Sequence, residues 1–207
     1  MFIAKSYTLR NKSNFDDKDI LEMSKTKYNY LHLKNYNIDF NDNLDRVSQN
    51  IIGLTITNNK RSTPFNIPPH IKHIHLYSNE NFVIIPPTIK TVKVVSSYIE
   101  KFPFFFNSLP YGIESIELEI YGTRKNYLEY DFNNLPDSIE KIFLYCLYDN
   151  MNEDELKDIK IFFKLNKIYP KLSYISFDSN IKNTNQKDIK KYAIRNNIEI
   201  NGFNLYN

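Results

Sequence analysis

"PFNIPPHIKHIHL", Pro64 to Leu76, sets a phenylalanine, an asparagine and a double proline ahead of a segment whose apolar side chains fall at Ile71, Ile74 and Leu76. The spacing apolar-x-x-apolar-x-apolar ends in period-two alternation, the mark of a half-buried strand. Proline fixes φ, lacks an N–H donor and holds the preceding residue extended. It therefore belongs at a strand's first position or outside the ladder, and the double proline reads as a start signal for the strand.

The same pattern recurs along most of the chain. It is found in "YNYLHL" (Tyr28, Leu31, Leu33), "IIGLTI" (Ile51, Leu54, Ile56), "IKHIHL", "IKTVKV" (Ile89, Val92, Val94), "IESIEL" (Ile113, Ile116, Leu118), "IEKIFL" (Ile139, Ile142, Leu144) and "LSYISF" (Leu172, Ile175, Phe177). All steps between successive third anchors except the last fall within or beside the roughly 20 to 29 residues of a leucine-rich repeat. The lead-ins recur too: "FNIPP" from Phe65, "FVIIPP" from Phe82, "FNSLP" from Phe106 and "FNNLP" from Phe132. Each Phe is expected to point inward. One such unit buries too little apolar surface to offset the ordering of its backbone, so the units must stack.

These lead-ins resemble those of the FNIP-repeat family, a divergent type of leucine-rich repeat found in social amoebae and in giant viruses that infect amoebae. The resemblance covers Phe65 to Leu144 best and extends toward Tyr28 and Phe177. It implies a repeat array used for protein recognition. Some members carry an N-terminal F-box that attaches them to a ubiquitin-ligase scaffold, and no F-box pattern precedes Tyr28 here. "NKIYPK" also departs from the motif, keeping only a Tyr-Pro.

The expected fold is an α/β solenoid: a leucine-rich-repeat-like curved parallel sheet of about seven to eight strands, with an irregular convex side and helical caps. It forms one domain over 1–207, with an N-terminal cap at 1–27, repeats at 28–180 and a C-terminal cap at 181–207. Asp16 to Met23 is expected to form a small helix over the first strand. "NEDELKDIKIFFKLNKIYP" has Asn152 and Glu155 at capping-box spacing and Leu156, Ile159 and Phe163 on one face, with Lys164 and Lys167 late. That pattern predicts an amphipathic helix. A second helix is expected over Gln186 to Arg195, then a last strand at Ile198 to Ile200. An Asn-type ladder beyond the strands is partial, with Asn59, Asn79, Ser97 and Asn180 at the ninth position but Tyr36, Tyr121 and Leu147 in the other units.

Composition narrows the function classes. The net charge of +3 gives no reason to expect a duplex-binding face, so nucleic acid is not an expected partner. Cys146 is the only cysteine, which excludes an intramolecular disulfide, and it falls on the inward side of its strand. The N-terminal stretch lacks the apolar core of a signal peptide. "FPFFFNSLP" is far shorter than the roughly 20 residues that cross a bilayer. The expectation is a cytoplasmic monomer, in the host cytoplasm if the gene is viral, with no membrane partner.

Alternation puts the residues between the anchors on the open, concave face. The candidate partner-binding residues are Tyr30, His32, Thr55, His73, His75, Tyr77, Lys93, Glu117, Glu119, Lys141, Phe143, Tyr145 and Tyr174, with Lys34, Gly53, Thr57, Thr91, Val95, Ser115, Ser176 and Asp178 beside them. Tyrosine-rich mixed faces suit protein recognition, because rigid aromatics supply area and polar groups fix register. The alternative is a small-ligand or metal-binding protein, or an enzyme, using His73, His75 and Lys93. Two histidines two apart on one strand can hold zinc, but no carboxylate or cysteine flanks them and a lysine adjoins them. Glu117 and Glu119 share one strand with no pocket to separate their pKa values. His70 reads as a solvated turn residue and "IKKYAIR" as a solvated helix face. With 4 glycines there is no phosphate-cradling loop. No catalytic residue, metal or cofactor is expected.

Overall fold

The computed structural model describes residues 5–10, 16–34, 44–57, 67–78, 85–96, 109–121, 127–147, 160–177 and 185–202. The repeated lead-in folds as a β-turn. The carbonyl of Pro68 accepts the Ile71 N–H at 3.1 Å, Pro86 accepts Ile89 at 3.1 Å, Pro136 accepts Ile139 at 3.2 Å, and Tyr169 accepts Leu172 at 3.3 Å. Pro69, Pro87 and Pro170 thus stand at the second turn position, where φ near −65° is required. The proline opens the turn and the strand starts after the first anchor, so it is not the strand's first residue. Gly112 closes the equivalent turn with φ of 113°, a left-handed position that favours glycine.

Each turn drops its first anchor into the core. Ile51, Ile71, Ile89, Ile113 and Ile139 are fully buried and Leu172 nearly so. The second and third anchors lie within the strands and are buried, while the residues between them stay more exposed.

Nine strands form a predominantly parallel sheet, in the order β1 (Ser6–Arg10), β2 (Tyr30–Lys34), β3 (Gly53–Thr57), β4 (His73–Ser78), β5 (Thr91–Ser96), β6 (Ser115–Tyr121), β8 (Lys141–Leu147), β10 (Tyr174–Phe177) and β11 (Glu199–Asn201). Two further strands, β7 (Tyr127–Asp131) and β9 (Lys160–Lys164), pair parallel with each other. Helices are few among the described residues, and the sheet does not close into a barrel. Seven of the nine strands are those expected from the repeated pattern, and β11 is the last strand expected at the C-terminal end. The ninth, β1, was not expected. It lies in the stretch assigned to an N-terminal cap, and its core contribution is Leu9, with Tyr7 packing its ring 5.4 Å from Tyr28.

The chain divides into two compact units, Met1–Val94 and Val95–Asn207. In the first unit a single carbonyl receives two N–H groups at each step. Lys5 O accepts from Asn29 and Tyr30, Asn29 O from Ile52 and Gly53, Ile52 O from Lys72 and His73, and Lys72 O from Lys90 and Thr91. The small helix α1 (Asp17–Met23) forms where expected. Asp16 caps it, accepting from the Asp19 N–H at 2.8 Å, while the Asp19 carboxylate accepts the Asp16 N–H in return. The fully buried Met23 anchors it in the core.

The second unit repeats the device. Glu114 O accepts from Glu140 and Lys141, and Glu140 O from Ser173 and Tyr174. Ser138, buried in the turn before β8, accepts the Gly112 N–H at 3.0 Å and donates to the Ile113 carbonyl at 2.7 Å. Asn50 occupies the matching turn position in the first unit and donates to the carbonyls of Met23, Lys25 and Tyr28. Helix α2 (Gln186–Arg195) and β11 close the unit as expected, the strand starting one residue later than predicted.

The amphipathic helix predicted through Phe163 does not extend over that residue, because Lys160–Lys164 is the strand β9. Ile161, Phe162 and Phe163 are β-branched or aromatic and favour a strand. The ladder with β7 and a ring cluster decide the matter: Phe163 stacks on Tyr130 at 5.6 Å and on Phe132 at 5.5 Å, and meets Phe177 edge-on at 5.2 Å. Asn185, buried, clamps β9 by accepting the Phe163 N–H and donating to its carbonyl. Asn152, Glu155, Leu156 and Ile159 lie outside the described residues.

Of the four lead-in phenylalanines, Phe132 is described and is buried, as expected. Phe65, Phe82 and Phe106 lie outside the described residues, as do Tyr36, Asn59, Asn79, Ser97, Asp178 and Asn180. Phe163→Ala and Phe132→Ala should each cost about 3–5 kcal/mol in urea unfolding. The double variant should cost measurably less than the sum, because the two rings touch. Strict additivity would contradict the stacked cluster.

Candidate functional site

The parallel register sorts the outward side chains into rows. In the first unit one row runs Ser6, Tyr30, Gly53, His73, the next Thr8, His32, Thr55, His75, and a third Arg10, Lys34, Thr57. Tyr30, His32, Thr55, His73 and His75 are half-buried, and Tyr77, beyond them on β4, is exposed. Each of these sequence-predicted residues thus lies on the face opposite the core. Lys93 and Thr91 on β5 are half-buried. Val95 was expected on the open face and is buried, as is Val94 beside it. The outward position is therefore covered near the end of β5.

Glycine shapes the first row. A Cβ on Gly53 would come within 2.1 Å of Tyr30 Cε1, so the tyrosine ring lies across the space a side chain would fill. From there it stacks against His73, with centroids 6.0 Å apart and planes 19° apart. In the second row the His32 Nε2 atom is 3.0 Å from the Thr57 hydroxyl, which in turn donates to the Leu33 carbonyl. The ring of His75 packs on Tyr77 at 4.6 Å, and its Nε2 atom is buried without a hydrogen-bond partner. These contacts commit each imidazole to a neighbour. Among the described residues no group of three or more His, Cys, Asp or Glu could hold a metal ion.

The same packing keeps the histidines neutral. Burial, then the charges of Lys93 and His32, push His75 down to about 4. Burial, then Lys34 and Arg10, lowers His32, and burial alone lowers His73. His70 was read as solvated. It is instead half-buried, its Nε2 buried without a partner and its Nδ1 3.3 Å from the Gln49 amide.

In the second unit the rows run Ser115, Lys141, Tyr174, Glu199, then Glu117, Phe143, Ser176, Asn201, then Glu119 and Tyr145. The predicted residues Glu117, Glu119, Phe143, Tyr145 and Tyr174 are half-buried and Lys141 is exposed. Phe143 stacks on Tyr145 at 6.4 Å and tilts against Tyr174 at 5.5 Å, forming one aromatic patch beside two carboxylates. Asn201 Nδ2 steadies Tyr174, donating to its hydroxyl at 3.3 Å. The Cys146 side chain lies outside the described residues.

Three outward residues escaped the sequence reading, Ser6, Thr8 and Arg10, because β1 itself did. The alternation of Tyr7 and Leu9 was the available signal. Chemically the faces offer flat rings, hydroxyls and charges on rigid strands. Compared with family models, with curated proteins and with solved structures, the chain matches none.

A base whose folded pKa lies below its unfolded value near 6.5 stabilises the fold when neutral. The unfolded chain then binds more protons as pH falls from about 6.5 toward 4, and stability falls with it. His75 carries the largest such shift. His75→Leu should therefore reduce the drop in melting temperature between pH 7.5 and 4.5 by roughly 2–4 °C, the shift that about 1 kcal/mol produces in a chain of this length. Solvent screening of a half-buried ring keeps the effect this small. Parallel pH profiles would show that this imidazole is not responsible.

Proposed function

We propose that the protein is a non-enzymatic recognition module, a solenoid of FNIP-like leucine-rich repeats that binds a protein partner on its open sheet face. The observation that carries this is the aromatic patch of Phe143, Tyr145 and Tyr174, held half-exposed on hydrogen-bonded parallel strands. Aromatic anchors fixed before contact lose little entropy on binding, so their area translates efficiently into affinity. The repeated turn, the seven strands that follow the repeated pattern and the outward rows support a repeat architecture built to present side chains. The protein would act as a cytoplasmic monomer and without a cofactor. No helix among the described residues is long and apolar enough to cross a membrane. By analogy with the family it resembles, the partner would be a ubiquitination target, or a host factor if the gene is viral.

Replacing Tyr77, Phe143 and Tyr145 together by Ser should abolish affinity capture of the partner from native lysate, read by mass spectrometry. Loss of anchors worth about 2 kcal/mol each lowers affinity by far more than tenfold. The melting temperature should change little, since Tyr77 is exposed and the other two are half-buried. Undiminished capture by a folded triple variant would show that binding uses another surface.

A further inference from the structure

Arg10 and Lys34 stand directly opposite each other in the parallel register of β1 and β2. Neighbouring strands are about 4.8 Å apart, and like charges placed opposite one another destabilise a sheet. Neither residue has an ion-pair partner among the described residues. The carboxylates described in the first unit are all elsewhere. Asp16, Asp17, Asp19 and Glu22 belong to α1 and its cap, and Asp45 lies in the short 3₁₀ turn Leu44–Arg46. Several are engaged: Asp17 pairs with Arg46, Glu22 with Lys25, and Asp19 accepts from the Tyr7 hydroxyl. The outward rows of β1 to β4 therefore carry two adjacent cations, hydroxyls, imidazoles and a flat ring, with no acid.

We propose that this face of the first unit takes an acidic segment of a protein partner, whose carboxylates meet Arg10 and Lys34 while one of its aromatic side chains lies on the Tyr30–His73 shelf. The proposal rests on the protein-recognition reading and names the chemistry of its partner. Charge complementarity selects the occupant. A carboxylate between the two cations removes their mutual repulsion and forms charge-assisted hydrogen bonds with both. Thr8, exposed two positions before Arg10 on β1, brings a further hydroxyl group. A nucleic acid would also offer rings and negative charge, but its affinity grows with the number of cations gathered. Two unpaired cations in a chain of net charge +3 favour a short acidic peptide over a phosphate backbone.

The register also sets the spacing of the ligand. Tyr30 and Lys34 lie four positions apart on β2, a separation of roughly 13 Å at about 3.3 Å per residue. An extended peptide running along that strand spans the distance with about four residues. The partner segment thus carries an aromatic residue followed or preceded, about four positions away, by Glu or Asp. Lys93 adds positive charge near His75, but the fit does not depend on it.

The test uses fluorescence anisotropy with a labelled extended peptide that carries one Phe and a run of Glu about four residues beyond it. Comparison probes are the same peptide with Gln or Lys in place of Glu, and oligouridylate. The Glu peptide should bind, weaken as salt is raised, and bind at least about tenfold more tightly than the Gln form, the ratio that one good charged contact supplies. Arg10→Glu should lower its affinity by about tenfold or more, since the new carboxylate occupies Lys34 itself. That variant should melt no lower than the wild type, which separates lost binding from lost folding. Gly53→Ala, which forces the Tyr30 ring off its shelf, should weaken the Glu and Gln peptides alike.

Equal binding of the Glu, Gln and Lys peptides would overturn the acidic partner while leaving protein recognition standing. Tighter binding of oligouridylate, sensitive to Arg10→Glu, would overturn both. Absence of binding by every peptide would also overturn the acidic partner, and the lysate capture by the unsubstituted chain then decides the broader reading separately.

Discussion

One carbonyl just ahead of a strand, repeated through both units, governs this chain. In both units it accepts two successive N–H groups of the following repeat, that of the residue just after the turn and that of the first strand residue, so turn and strand are seated together on their predecessor. A shift of one residue would break both bonds. It would also turn every inward aliphatic outward, because the side-chain period is two. The β-turn is closed within its own four residues, and the fourth of them, the first anchor, is buried. Position along the ladder and depth in the core are thereby fixed at one point. The side chains of Asn50 and Ser138 reinforce that point, satisfying backbone groups of the preceding turn that would otherwise be buried without partners.

Once the register is set, the outward rows follow, and their chemistry differs between the units. The first has imidazoles, hydroxyls, a tyrosine laid over glycine, and two adjacent cations. The second has a phenylalanine–tyrosine patch beside Glu117 and Glu119. In the first unit the price of close packing is borne by the imidazoles, which are held neutral by burial and by nearby positive charge. Strained electrostatics of this kind, kept on an open face with no acid among its described residues, are what a complementary partner would relieve.

Much of the fold was legible because the anchors are spaced by backbone geometry itself. Seven segments share one spacing, and each became a strand in the sheet, as did the last strand at the C-terminal end. The two helices described were legible for the same local reason. Asp16 and Asp19 reciprocally cap α1, and α2 buries Ile189 and Ala193, four positions apart on one side of the helix. The strand β1 was missed because only Tyr7 and Leu9 signal it, too short a run for alternation to stand out. The segment ending in "KIFFK" was misread because apolar residues spaced three and four apart fit a helix as well as they fit a short apolar strand. Histidines 73 and 75 were correctly placed on one face, yet what each ring touches could not be read from spacing.

By itself, the sequence determined which anchors of the repeated segments face inward, where turns interrupt those segments and in what order their strands follow one another. These are local matters, dictated by the period of side chains along a strand and by proline's fixed φ. Only the tertiary structure decided that Lys160 to Lys164 would be a strand, since its ring cluster and the Asn185 clamp join residues far apart in sequence. It also decided that Arg10 would stand beside Lys34 and that Tyr30 would lie over Gly53 against His73. Such pairings depend on which strands become neighbours and at what register, and a one-dimensional pattern does not carry that information for a strand it fails to signal.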